Sequence, residues 1–270
     1  MDFGLAGKVA IVTGATANIG RAVALDLAAE GATVVAVGRD RDAGERLVAA
    51  GAARGAGQIA FVAADLLERE APQRILAEAA RLGPVGVLVN GVGGNVGAGF
   101  FVDSDPDTWE GDLDLNLKTV LRMTHAVLPG MIERRSGRII NIGSTAGLVG
   151  DYMLPLYSAA KSAVHGFTKV LAKEVGAHGV TVNCVAPYGT VSDDPAAFSS
   201  GSRFHPGNTF FSKAFADASP ADRARMRRSG PLERIIARPE EVSAAVLYLA
   251  SGRAAFVTGQ VLPVDGGTLL

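Results

Sequence analysis

The chain has 270 residues, 48% of them hydrophobic and 20% charged, which allows one sizeable core and does not require a second domain. Its formal net charge of -1 argues against a nucleic-acid or membrane-surface role for the whole chain. A single cysteine, Cys184, excludes an internal disulfide and a thiolate metal cluster, and within the apolar run Val180 to Ala186 it reads as a packing group.

At the N-terminus, Met1 to Lys8 has no charged start followed by an apolar stretch. No window approaches the roughly 18 uninterrupted apolar residues of a membrane span. The reading is a cytoplasmic protein without a signal peptide. Strands are expected at Val9–Thr13, Thr33–Val37, Gln58–Val62, Val85–Asn90, Arg138–Ile142, Val180–Val185 and Gln260–Val264. Helices are expected at Ile19–Glu30, Asp42–Ala53, Glu68–Arg81, Pro106–Arg135, Leu154–His178 and Pro239–Ser251. Strand and helix alternate, the signature of βαβ units around a parallel sheet. The strands are continuous apolar runs, as expected where helices cover both faces. Without repeats or a low-complexity linker, residues 1–270 read as one α/β domain of doubly wound type.

The first strand ends in Thr13-Gly14-Ala15-Thr16-Ala17-Asn18-Ile19-Gly20 and runs straight into a helix. Such a turn lets the backbone approach a pyrophosphate, and the helix N-terminus offers free N–H groups. Gly14, Thr16, Ala17, Asn18, Ile19 and Gly20 are therefore candidate dinucleotide contacts. The second strand ends in Val37-Gly38-Arg39-Asp40, with no carboxylate at its last position. Arg39 there suits a 2′-phosphate and favours NADP(H) over NAD(H); the alternative is that Arg39 is solvated and Asp40 takes the ribose. Asp65, with Leu66 beside it, is placed to accept from an adenine amino group, or else to cap the next helix. Asn90-Gly91-Val92-Gly93 closes the fourth strand and is placed to pass under the adenine ribose, or is simply a glycine turn.

Further on, Ser144 follows the run Ile139 to Gly143, and Tyr157-Ser158-Ala159-Ala160-Lys161 begins thirteen residues after it. Positions i and i+4 share a helix face, so a phenol and an ammonium would project side by side. A free tyrosine has a pKa of about 10, and a cation beside it makes it a usable acid and base. Taken singly, Ser144 could cap a turn, Tyr157 could be a first-turn surface aromatic, and Asn116 in Asp114-Leu115-Asn116-Leu117 could be an ordinary helix residue.

In order and spacing together, these residues resemble the short-chain dehydrogenase/reductase family over essentially the full length. The matching positions are Thr13-Gly14 through Gly20, Asp65, Asn90 with Gly93, Asn116, Ser144, Tyr157 with Lys161, Pro187, and Val264-Asp265-Gly266-Gly267. The resemblance implies a Rossmann-like fold with a seven-stranded parallel sheet, a nicotinamide cofactor, and a homotetramer or homodimer. It implies that Tyr157 is the general acid/base, that Lys161 lowers its pKa and holds the nicotinamide ribose, and that Ser144 orients the substrate oxygen. Asn116 would hold a water joining Lys161 to solvent.

The chain departs from the family at three places. Asn18 replaces a glycine of the turn, tolerating positive φ and adding a polar contact toward a phosphate. Gly91 and Val92 replace an Asn-Ala pair. Pro187-Tyr188-Gly189-Thr190 stands where Pro-Gly is usual, so Tyr188 and Gly189 would border the nicotinamide and its amide would meet the backbone near Thr190. From there to Gly230 the pattern is irregular and reads as a lid holding five of the eleven phenylalanines: Phe198, Phe204, Phe210, Phe211 and Phe215. These either wall an apolar substrate pocket or form a satellite core. Arg223, Arg225, Arg227 and Arg228, with Arg234 nearby, are a solvated face or a landing site for a carrier's phosphates.

The leading expectation is an oxidoreductase moving hydride between NADP(H) and a ketone or secondary alcohol, a small-molecule substrate. The alternatives are a 3-oxoacyl-thioester reductase, an NAD-dependent alcohol dehydrogenase and, in a different class, a non-catalytic dinucleotide sensor. The helices Pro106–Arg135 and Leu154–His178 are expected to carry the main contact between subunits.

Overall fold

In the computed structural model, which describes residues 3–205, 207–216 and 218–270, seven strands form one parallel sheet in the order β3-β2-β1-β4-β5-β6-β7. The strands are β1 (Val9–Thr13), β2 (Thr33–Gly38), β3 (Gln58–Ala63), β4 (Val85–Asn90), β5 (Gly137–Ile142), β6 (Val180–Pro187) and β7 (Val261–Val264). Met1 and Asp2, where the expected leaderless N-terminus begins, lie outside the described residues. No helix among the described residues is long and apolar enough to cross a membrane.

The helices between strands are α1 (Asn18–Ala29), α2 (Arg41–Ala52), α3 (Ala71–Ala80), α4 (Trp109–Leu113), α5 (Thr119–Glu133), α6 (Ala146–Val149), α7 (Pro155–Val175), α8 (Phe210–Ala214), α9 (Pro220–Met226) and α10 (Pro239–Ala250). Side chains alternate across a strand, so β1 feeds two cores. Ala10 and Val12 join Val23 of α1 and Val246 of α10 on one face. Val9 and Ile11 join Ile75 of α3, Met123 of α5 and Leu171 of α7 on the other. Each fully buried Val, Leu or Ile in these layers contributes roughly 1.5–3 kcal/mol of transfer free energy.

The strand order reverses between β1 and β4. At such a switch point the two crossovers leave in opposite directions, and a crevice opens beyond the C-terminal strand ends. That is where the candidate residues gather.

Two expectations change. The single helix over Pro106–Arg135 is interrupted: α4 passes through a π-helical turn at Asp114–Lys118 before α5 begins. The segment from Tyr188 to Gly230 is not wholly irregular, because α8 and α9 lie within it. Helix α9 has a reciprocal cap, in which the Ser219 hydroxyl accepts from the Asp222 N–H while Asp222 accepts from the Ser219 N–H.

Candidate active site

A cleft of about 780 Å³ runs along the strand ends, lined by the β1–α1 turn, the ends of β2 and β3, the loop after β4, Ser144, Tyr157, Lys161, and the segment from Pro187 into the lid. Its size and its meeting of apolar walls with polar groups suit a ligand of dinucleotide kind plus a small molecule.

The turn after β1 is built for close backbone approach. Gly14 has φ +67°, and a Cβ on it would lie 2.8 Å from the Gly91 carbonyl oxygen. No side chain caps the N-terminus of α1, so its first N–H groups are left for a ligand. Thr16, Ala17, Ile19 and Gly20 line the cleft around them. Asn18 adopts φ +45° as expected, but its amide does not reach for a phosphate: Nδ2 donates to the Thr190 carbonyl at 2.8 Å.

At the far end, Arg39 is 61% exposed and sits 3.6 Å from Asp65 as an ion pair. The Asp40 carboxylate accepts from Ala43 N–H at 3.0 Å as the cap of α2 and from both the N–H and hydroxyl of Ser200 at 2.8 Å. These hydrogen bonds hold its pKa down at about 2. Asp65 does not cap a helix; it accepts from the Leu67 N–H in a tight turn ahead of α3. Leu66 is buried beside it and reaches the cleft.

Gly91 and Val92 line the cleft, whereas the Asn90 side chain turns inward. Its Nδ2 donates to Thr124 Oγ1 at 3.0 Å and to Asn141 Oδ1 at 2.8 Å, and Asn141 donates to Thr168. This buried polar chain ties β4, β5, α5 and α7 together beneath the site. Asn141, Thr124 and Thr168 were not singled out in the sequence.

Helix α7 starts at Pro155 and buries Ala160, Lys161, Val164, His165, Thr168, Leu171 and Val175 at helical spacing. Its first turns carry Tyr157 and Lys161 under the end of β5, where Ser144 is the hydrogen-bonding neighbour of the phenol. Burial pushes the Tyr157 phenol up to about 12, opposed by the Ser144 hydrogen bond and reinforced by the charges of Asp151 and Asp112. Burial pulls Lys161 down to about 8. Its Nζ donates to the Ile142 carbonyl at 2.9 Å and lies 5.7 Å from the centre of the Tyr157 ring.

Asn116 is fully buried in the π-helical turn. Its Oδ1 accepts from the Gly94 N–H at 2.9 Å, and its Nδ2 donates to the carbonyls of Gly94 and Asp112 at 3.0 Å. A Cβ on Gly93 would lie 2.8 Å from Asn116 Oδ1 and 2.9 Å from Lys161 Nζ, so both side chains converge on the space that glycine leaves. Asp112, also missed in the sequence, accepts from Val96 and Gly97 N–H and fixes the same loop.

Beyond β6, Ala237 N–H binds the Gly189 carbonyl and Val191 N–H binds Ala237. Thr190 between them is buried, and its hydroxyl donates to the Tyr188 carbonyl at 2.9 Å. Pro187, Tyr188, Gly189 and Thr190 all border the cleft. The lid phenylalanines divide between the two readings: Phe198 is buried and Phe204 lines the cleft at 41% exposure. The side chain of Phe211 lies outside the described part. The arginine cluster is largely engaged. Arg225 pairs with Asp222, Arg228 with Asp151 and Arg234 with Glu241, and Arg223 donates to lid carbonyls.

The family model described as short chain dehydrogenase matches residues 8–200. The chain is 36% identical to a 3-oxoacyl-[acyl-carrier-protein] reductase of Vibrio harveyi, covering 97% of this chain and 98% of that one. It is 38% identical to a 2,3-dihydroxy-2,3-dihydro-p-cumate dehydrogenase of Pseudomonas putida, covering 98% and 96%. Among solved structures, a 3-oxoacyl-[acyl-carrier protein] reductase with bound NAD from Brucella melitensis superposes with a TM-score of 0.80 at 28% identity, over 97% of this chain and 91% of that one.

Proposed function

The chain belongs to the short-chain dehydrogenase/reductase family of NAD(P)-dependent oxidoreductases acting on CH–OH or C=O groups, and from that premise we propose that it moves hydride between NADP(H) and a ketone or secondary alcohol. The observation that carries this reading is the meeting of Ser144, Tyr157 and Lys161 at the end of β5, with Asn116 behind them.

NADP(H), when bound, supplies or accepts the hydride. In reduction the substrate carbonyl oxygen lies against Ser144, whose hydroxyl orients it. Tyr157, kept protonated by burial, gives its proton as that oxygen gains negative charge. Lys161, cationic below about 8, steadies the phenolate left behind. Asn116 and Lys161 converge over Gly93, and a water held there would pass a proton back from solvent. Gly14, Thr16 to Gly20, Leu66, Gly91, Val92 and Pro187 to Thr190 would hold the cofactor, with Asn90 supporting the loop from within.

NADP(H) is favoured because Arg39 is exposed at the end of β2 while the competing Asp40 carboxylate is engaged by Ala43 and Ser200. The relatives' names differ in substrate at similar identity, so they favour the reaction class above any one substrate. The 3-oxoacyl-thioester reading gains support from those names, but loses the arginine cluster as its carrier site, since most of those guanidinium groups are held by Asp151, Asp222, Glu241 and lid carbonyls.

Oxidation of NADPH and of NADH should be followed across cyclic ketones, aryl ketones and 3-oxoacyl thioesters. Turnover of simple ketones with NADPH preferred is the expected result. Turnover confined to thioesters would replace it with the carrier reading, and dinucleotide binding without turnover on any carbonyl or alcohol would revive the sensor. We further propose a homotetramer or homodimer, because Val149 and Val170 near and on α7 and Phe256 and Leu270 near the C-terminus are exposed apolar residues. Sedimentation giving a monomer at micromolar concentration would remove it.

A further inference from the structure

One arginine that lines the cleft is not engaged by an acid. Arg203 is half-buried and held in place at two points. Its Nε donates to the Asn95 carbonyl at 2.9 Å, and its guanidinium carbon lies 4.2 Å from the centre of the Phe210 ring. No carboxylate among the described residues lies within ion-pair distance of it. Asp112 is near enough for its charge to be felt, but its oxygens already accept from Val96, Gly97 and Asn116. Asp151, the acid that lines the same cleft beside Tyr157, is neutralised by Arg228.

A second, independent observation falls in the same corner. The side-chain Nδ2 of Asn95 is enclosed and has no acceptor among the described residues. A buried donor without an acceptor costs free energy, and native structures seldom leave one unexplained. The guanidinium is anchored on the backbone carbonyl of the same Asn95, so an oriented donor and an enclosed donor belong to contacting residues. Asn95 is two residues beyond Gly93, which touches the space shared by Lys161 and Asn116, so the corner borders the reactive half of the cleft.

We infer that Arg203 receives a carboxylate of the substrate, with the enclosed Asn95 amide turning to meet it, making the substrate an oxo acid or hydroxy acid whose carbon skeleton lies along Phe204 and Tyr188. The fork of Arg203 presents two parallel N–H groups, the geometry that pairs with a carboxylate. A lysine would offer charge without that fit. The inference rests on the proposed reaction only for where the reacting carbonyl lies; the anion site itself needs no turnover.

The test is binding of benzoate, with benzamide as its neutral match, to the protein saturated with NADPH, for the wild type, Arg203→Ala and Arg203→Lys. The wild type should bind benzoate about ten-fold or more tightly than benzamide, as for one charge-assisted pair. Arg203→Ala should abolish that preference, Arg203→Lys should keep part of it, and NADPH affinity should stay within about two-fold, which also reports an intact fold. Equal binding of the two probes by the wild type, or a preference that survives Arg203→Ala, would overturn the inference. A large loss of NADPH affinity in Arg203→Ala with benzoate binding unchanged would also overturn it, assigning the guanidinium to a cofactor phosphate. The ketone panel reads turnover and this titration reads binding, so each reading fails by its own result.

Discussion

The side-chain amide of Asn18 donates to the backbone carbonyl of Thr190 at 2.8 Å, joining two loops 172 residues apart in sequence. One loop opens α1 and the other follows β6, so the bond ties together two walls of the dinucleotide cleft. Asn18→Gly keeps the positive φ and removes the tie. The Michaelis constant for the cofactor should rise roughly two- to ten-fold, the worth of one neutral hydrogen bond. An unchanged constant would mean that the two loops are held by other means.

Tyr157 is the proposed proton donor. Tyr157→Phe should cut turnover by roughly 10²–10⁴-fold while leaving dinucleotide affinity near its original value. Persisting turnover would show that the proton comes from elsewhere.

The pH profile separates Tyr157 from Lys161. Burial raises the phenol to about 12 and lowers the ammonium to about 8. Tyr157 therefore stays protonated through the range in which Lys161 loses its charge. Ketone reduction at saturating cofactor should fall as pH rises through about 8, and the limb belongs to Lys161. A profile flat to about pH 10 would contradict this assignment.

His165, one helical turn beyond Lys161, is almost fully buried, and burial lowers its pKa to about 4 from 6.5. Between those values the unfolded chain binds the proton and the folded chain does not. Stability should thus drop as pH falls from about 6.5 to about 4, by up to roughly 3 kcal/mol at 1.4 kcal/mol per pKa unit. His165→Gln should flatten that slope in urea unfolding compared at pH 4.5 and pH 7. An identical slope would place the acid sensitivity in other groups.

Arg39 is the proposed reader of the 2′-phosphate. Arg39→Ala should raise the Michaelis constant for NADPH by about ten-fold or more, as for loss of a charge-assisted contact, and leave that for NADH nearly unchanged. A parallel change in both would make Arg39 only the partner of Asp65.

The sheet and the residues at its strand ends were legible because apolar runs and glycine turns are local signals. The break at Asp114–Lys118 was not, since the widened turn is accompanied by contacts of Asn116 and Asp112 with the loop at Gly94 to Gly97, distant in sequence. Asp112 went unmarked in the sequence for the same reason. Asn90 looked like a cofactor contact, but its partners Asn141 and Thr124 lie on other elements, and only the fold reveals that they meet. The arginine cluster looked available because its acids, Asp151 and Glu241 among them, are scattered along the chain. Helix α9 could have been found from Ser219-Pro220-Ala221-Asp222, which carries both a cap residue and its reciprocal acid.

The lid is pinned at both ends of the cleft. Ser200 is bonded to Asp40 at the end of β2, while Asp222 takes the Tyr152 hydroxyl at 2.9 Å and Arg228 holds Asp151, a few residues before Tyr157. A strap fixed at two such points makes the two halves of the cleft energetically interdependent. Whatever occupancy at one end does to the strap alters the free energy of occupancy at the other, and by reciprocity to the same extent in the opposite sense of cause. Affinity for the small molecule and affinity for the dinucleotide would then share one coupling free energy, carried by this strap and added to what the atoms touching either ligand supply.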